Sequence, residues 1–208
     1  MSQLDALVRR LGELDAKADL DGLRQTREQI VAQHPDSDAA VEALYKVGLD
    51  LLFRERKLDE AVTRFDEAAR CKTPFWSDAA RVSLGLCLFH QRRTQKALLE
   101  LRKAAYPAEP NAHSVTALAF IETIYESENK ADEVKRARKD RIAQLEQLTR
   151  PGPTTTPAER GHYLYLLGLA CRDQGDDARA VKALEQARTL GPSALGAELF
   201  RAVGEALR

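Results

Sequence analysis

One spacing recurs along this chain and limits what it can fold into. A glycine is followed twelve or thirteen residues later by an alanine, and four residues after that by a large apolar residue. The sets are Gly48, Ala61 and Phe65; Gly85, Ala97 and Leu101; and Gly168, Ala180 and Leu184. An aliphatic residue precedes each glycine (Val47, Leu84, Leu167), and a proline closes each unit (Pro74, Pro110, Pro192). Small residues at the glycine and alanine positions let two helices approach closely, while the large ones fill the gap to the next pair. From Gly48 to Ala61 the interval is thirteen residues, against twelve in the other two sets. The turn Arg54-Glu55-Arg56-Lys57 is where one extra residue is expected.

All eight prolines fall between apolar-periodic segments and none inside one. A proline in a helix interior removes a hydrogen bond and clashes with the preceding turn, at about 3 kcal/mol. Prolines used only as punctuation predict a string of short helices, and no period-two alternation is long enough for a strand. Asp36-Ser37-Asp38 offers a helix N-cap, Ser77-Asp78 starts the third unit, and Asn111 caps the fourth. The first unit is irregular, with Leu11 at the glycine position, as a terminal unit facing water would be. The fourth has Ala119 for glycine, and its register would put Lys135 and Arg138 in the core. Its apolar residues fall instead at Val134, Ala137, Ile142, Leu145 and Leu148, so this helix is either rotated or runs on beyond the repeat. Ser193 caps a last helix with Leu195, Leu199, Phe200, Val203 and Leu207 on one face. The count is eleven helices. The segment Arg150-Pro151-Gly152-Pro153-Thr154-Thr155-Thr156-Pro157 is the one plausible internal boundary, dividing an array over 1–149 from a last unit over 158–208.

Composition narrows the function. The chain of 208 residues is 44% hydrophobic and 31% charged, which reads as soluble and helical rather than disordered. No run approaches the roughly 18 apolar residues of a membrane span, and the start shows no export signal. A formal net charge of zero argues against a dedicated nucleic-acid surface. No phosphate loop, nucleophile elbow or zinc-protease motif is present. The four histidines are dispersed and pair with no cysteine at ligand spacing, so no metal or other cofactor is expected. Three widely spaced cysteines suit reduced thiols in the cytoplasm, with Cys87 and Cys171 buried and Cys71 the more reactive. The run Lys135, Arg136, Arg138, Lys139 reads first as a solvated helix face. Its functional alternative is an electrostatic patch for an acidic or phosphate-bearing partner.

The stretch GHYLYLLGLACRDQGDDARAVKALEQARTLGP over 161–192, with Leu164, Leu167-Gly168, Cys171, Ala180, Leu184, Ala187 and Pro192, resembles one tetratricopeptide repeat. The units around Gly48 and Gly85 resemble it nearly as well. The resemblance implies an all-α fold, a right-handed α-solenoid of antiparallel helix pairs closed by a C-terminal capping helix. It also implies a concave surface lined by the first helix of each pair. Mapped by the family's contact positions, that surface holds Tyr45, Leu49, Leu52, Val82, Leu86, Phe89, Phe120, Tyr165 and Leu169. The lysine and asparagine set of the family's carboxylate clamp does not occur at these positions. The expectation is a non-enzymatic adaptor of bacterial style that binds an amphipathic helix or apolar segment of another protein. A self-assembling structural or regulatory subunit, with the groove filled by the chain's own helix or a second copy, is the alternative. The junction HPDSDAAVEALYKVG also resembles repeats of cell-envelope assembly proteins.

Overall fold

A computed structural model describes residues 2–150, 152 and 155–208, and every described element is a helix. The helices are α1 (Gln3–Ala16), α2 (Leu20–Gln33), α3 (Asp38–Leu49), α4 (Leu58–Arg70), α5 (Pro74–His90) and α6 (Thr94–Ala105). They continue with α7 (Ala112–Ser127), α8 (Ala131–Leu148), α9 (Pro157–Asp173), α10 (Asp177–Thr189), α11 (Pro192–Leu195) and α12 (Ala197–Ala206). Two compact units divide the chain, Met1–Ala104 and Ala105–Arg208. In the first, α2 packs on α1 and α3, and α3 and α4 both pack on α5; in the second, α8 packs on α7 and α9, and α10 on α9.

The recurring glycines explain the pairing. A Cβ on Gly48 would lie 2.5 Å from the Phe65 ring, one on Gly85 2.5 Å from Leu101, and one on Gly168 2.6 Å from Leu184. Each glycine therefore sits under the large residue that follows the alanine by four, one turn along the second helix. Ala61, Ala97 and Ala180 are buried at 0%, 0% and 1% exposure, so a larger side chain there would drive the pair apart.

The turn inside each pair also repeats. Ala18, Arg56, Arg92, Asn129 and Gly175 all adopt left-handed backbone, with φ between 52° and 82°. The next residue's N–H closes the helix end in every case: Asp19 to Leu14, Lys57 to Leu51, Arg93 to Leu88, Lys130 to Tyr125 and Asp176 to Cys171, each at 2.9 Å. This is the left-handed helix stop that satisfies carbonyls otherwise left without donors. Four of these bonds span five residues; Lys57 to Leu51 spans six. The extra residue sits upstream of the turn, where Asp50–Arg54 forms a π-helical turn continuing α3. The helix absorbs the insertion by widening one turn, and the stop is preserved.

Two other expectations are corrected, and one open alternative is resolved. The third unit begins at Pro74, as the first residue of α5, so Ser77 and Asp78 lie inside the helix and are buried. There the Ser77 hydroxyl donates to the Cys71 carbonyl at 2.8 Å. Arg81, paired with Asp78 at 3.1 Å, donates to the Ala69 carbonyl at 2.7 Å. These polar groups finish the C-terminus of α4 from the next helix. The last helix is two, broken at Gly196 (φ 77°), which makes twelve helices rather than eleven among the described residues. In the fourth pair α8 runs on to Leu148, burying Val134, Ala137, Ile142 and Leu145. One core in the second unit joins Val115, Ile142 and Leu145 to Leu167, Ala170, Cys171, Ala180 and Ala183. The expected boundary at 150–157 includes Pro151, Pro153 and Thr154, which lie outside the described residues.

Candidate partner-binding surfaces

Ser37 fixes the start of α3 by accepting from the Ala40 N–H at 3.2 Å, and so sets which residues face α5. Tyr45 lies with its ring 5.9 Å from Phe65 and 5.7 Å from Trp76, and Trp76 meets Phe75 edge to face at 5.0 Å. Pro74 at the first helical position brings Phe75 and Trp76 into the first turn of α5. The Lys46 ammonium stands 5.5 Å above the Trp76 ring, within cation–π reach.

Of the inner-face residues expected from sequence, Val82 is buried. Tyr45, Leu49, Leu52, Leu86, Phe89, Phe120, Tyr165 and Leu169 are half-buried. The structure joins Tyr45 to the aromatic row just described. Tyr165 packs with Leu199 and Phe200 against the core formed by Leu164, Ala187, Leu195 and Val203, so the chain's own C-terminal helices cover part of it.

A cleft of about 420 Å³ opens in the first unit among Leu11 and Asp15 of α1, Glu42 and Lys46 of α3, and Trp76 of α5. None of the nine expected residues lines it. Trp76 is the chain's single tryptophan, and the preference of proline for the first helical position is the signal that places it in α5. A helix starting at Ser77 would exclude it. Among the exposed aromatic side chains are Phe53 on the π-helical turn, at 60%, and Phe75, at 53%, neither at a repeat position.

The basic run splits in two. Lys135, Arg136 and Lys139 are exposed. Arg138 turns inward, its guanidinium 2.6 Å from Glu122, 3.0 Å from Glu126 and 2.7 Å from the Asp173 carbonyl. Arg141 joins it at 3.1 Å from the same Glu122 carboxylate. Glu122 is 4% exposed, so its charge is held by two guanidinium groups rather than by water. All four residues of the run line a second cleft of about 470 Å³, with Asp173 and Gln174.

All three cysteine thiols are shifted toward the protonated form. Burial pushes Cys87 up to about 11 and raises Cys171 above its ordinary value. Cys71, expected to be the most reactive, is raised as well, first by burial and then by the Asp36 and Glu67 carboxylates. Among the described residues, no cluster of three histidine, cysteine or acidic side chains could hold a metal ion, and no helix is long and apolar enough to cross a membrane.

The tetratricopeptide repeat model matches residues 47–113 and 142–194, more than half of the chain, and the chain belongs to that family. Solved structures of similar fold include BtubC from P. vanneervenii, at 12% identity and TM-score 0.61 over 93% of this chain and 81% of that one. Another is PilW, a type IV pilus biogenesis factor, at 18% identity and TM-score 0.54 over 95% and 81%. The kinesin light chain TPR-like repeats of Podosopora anserina match at 13% identity and TM-score 0.54, over 92% and 95%. These likenesses concern the fold. No curated protein sequence matches the chain.

Proposed function

We propose that the chain is a non-enzymatic adaptor that docks another protein through the first helices of its repeats, in the cytoplasm. The observation that carries this reading is the row of large apolar side chains after the repeat glycines. Leu49 and Leu52 on the α3 side, and Leu86 and Phe89 on α5, each stay half-buried where a closed core would bury them. Leucine and phenylalanine held partly open at helical spacing suit an amphipathic helix or an apolar extended segment. Phe120 and Leu169 extend the same chemistry to the second unit. The exposed Lys135, Arg136 and Lys139, with Arg138 behind them, form an accessory patch for an acidic or phosphate-bearing partner surface. Segment 150–157 serves as the connector before the last repeat.

The test is the double variant Leu49→Asp/Leu86→Asp. A folded variant, with helical content and melting point unchanged, that no longer captures the partner retained by the wild type supports the reading. Unimpaired capture overturns it, and so does a variant that cannot fold, since the two leucines would then be core. At Tyr165 one observation favours the alternative, in which the chain occupies its own surface: Leu199 and Phe200 of α12 share its core.

A further inference from the structure

The cleft beside Trp76 differs in chemistry from the row of leucines. Its apolar lining includes Leu11, Ala39, Ala43 and Trp76. Its rim carries three carboxylates, Asp15, Asp38 and Glu42, against two cations. One of those, Arg27, is held by Asp50 of the π-helical turn at 2.9 Å, and the other, Lys46, lies over the indole. Asp38 accepts from the Thr73 hydroxyl at 2.8 Å, while neither Asp15 nor Glu42 has a salt bridge among the described residues. The rim is therefore net negative: Arg27 is neutralised by Asp50, Lys46 lies over the indole, and Asp15 and Glu42 carry uncommitted negative charge. A cleft of about 420 Å³ falls in the lower part of the range for sites that enclose a small ligand, so it takes a few side chains and not a folded surface.

We infer that this cleft docks a short cationic amphipathic segment of a partner protein. An apolar side chain enters between Leu11, Ala43 and Trp76, and flanking lysine or arginine side chains reach Asp15, Asp38 and Glu42. Lys46 fixes the polarity, because a cationic residue placed over the indole would meet its ammonium. The inference rests on the adaptor reading for its purpose, and on different residues for its chemistry.

Trp76 reports on the cleft without a label, since the chain has no other tryptophan. The probe is an amphipathic peptide of leucine and lysine, about four helical turns long, titrated against the full chain while indole emission is read. The leucine–glutamate peptide of the same pattern is the control. The lysine peptide is expected to shift the emission saturably, to bind about fivefold more weakly to Asp15→Asn/Glu42→Gln, and to weaken with added salt. The glutamate peptide is expected to leave the emission unchanged. An equal response to both peptides, no response, or undiminished binding by the rim variant overturns the inference. An emission shift produced by raising the protein concentration alone also overturns it, because a second copy then fills the cleft. Leu49 and Leu86 do not line the cleft, so Leu49→Asp/Leu86→Asp should keep its peptide response. In that variant unimpaired partner capture marks failure of the adaptor reading, whereas a wild-type chain without a peptide response marks failure of the cleft inference.

Discussion

The Phe65 ring of α4 occupies the space in which a side chain on Gly48 of α3 would begin: a Cβ there would lie 2.5 Å from the ring. The ring is fully buried and cannot swing into solvent. Gly48→Ala should destabilise the first unit by about 1–3 kcal/mol, the usual range for overpacking. Gly12 is the contrast. It is exposed on α1, and a Cβ added to it would meet nothing within 4 Å, so Gly12→Ala should stabilise by about 0.5–1 kcal/mol. Urea midpoints of the two variants, displaced in opposite directions from wild type, check both.

The helix stops give a second prediction. Arg56 and Arg92 hold left-handed backbone that glycine adopts without the clash of a Cβ. Arg56→Gly and Arg92→Gly should each raise stability by about 1 kcal/mol, and Gly175→Ala should lower it by a similar amount. Asn129→Gly should gain less, because asparagine tolerates this conformation better than arginine. Thermal melts of the four variants give the order.

Glu122 is the third. Replacing it by glutamine leaves Arg138 and Arg141, with side chains only 15% and 14% exposed, facing each other without their shared anion. A loss of about 3–5 kcal/mol is expected, the range for breaking a buried pair from one side. Glu126 touches the same Arg138 but its side chain is 52% exposed, so Glu126→Gln should change stability by less than about 1 kcal/mol. Equal effects from the two variants would show that Glu122 is better solvated than its position implies.

Cys87 sets a pH dependence. Its thiol is raised from 9.0 to about 11 by burial, so above pH 9 the unfolded chain releases this proton more readily than the folded one. The associated stability is fully present below pH 9 and is lost as pH rises toward 11. Wild type should therefore lose melting temperature across that window more steeply than Cys87→Ala, which has no thiol to ionise at this position and keeps the other two. Parallel slopes would count against the burial of the thiol.

The repeat is legible in the sequence because it is written in volume. Gly48, Gly85 and Gly168, with their alanine partners, mark where two helices approach closely, and a Cβ on any of the three glycines would crowd the facing side chain. The turns are less visible, since four of the five left-handed positions carry alanine, arginine or asparagine, and backbone conformation is there imposed by the helices on either side. The extra residue of the second unit shows in the count from Gly48 to Ala61, but it lies earlier than the turn where it is expected. Spacing gives the length of an insertion, and the hydrogen bonds decide which turn widens. Ser77 and Asp78 have the composition of a helix cap, yet they serve the end of the preceding helix from inside α5. The cleft beside Trp76 cannot be found by laying one repeat along the chain, because it draws on α1, α3 and α5 at once.

The core that joins Val115, Ile142 and Leu145 to Leu167, Cys171 and Ala183 takes its side chains from both sides of segment 150–157. Covalent continuity contributes none of those contacts. A backbone cut in the segment would leave two helical pieces with matching faces, each presenting to the other what an incoming helix would present to an open repeat. The stacking of this chain upon itself is thus helix-face recognition between two parts of one polypeptide, performed once at folding.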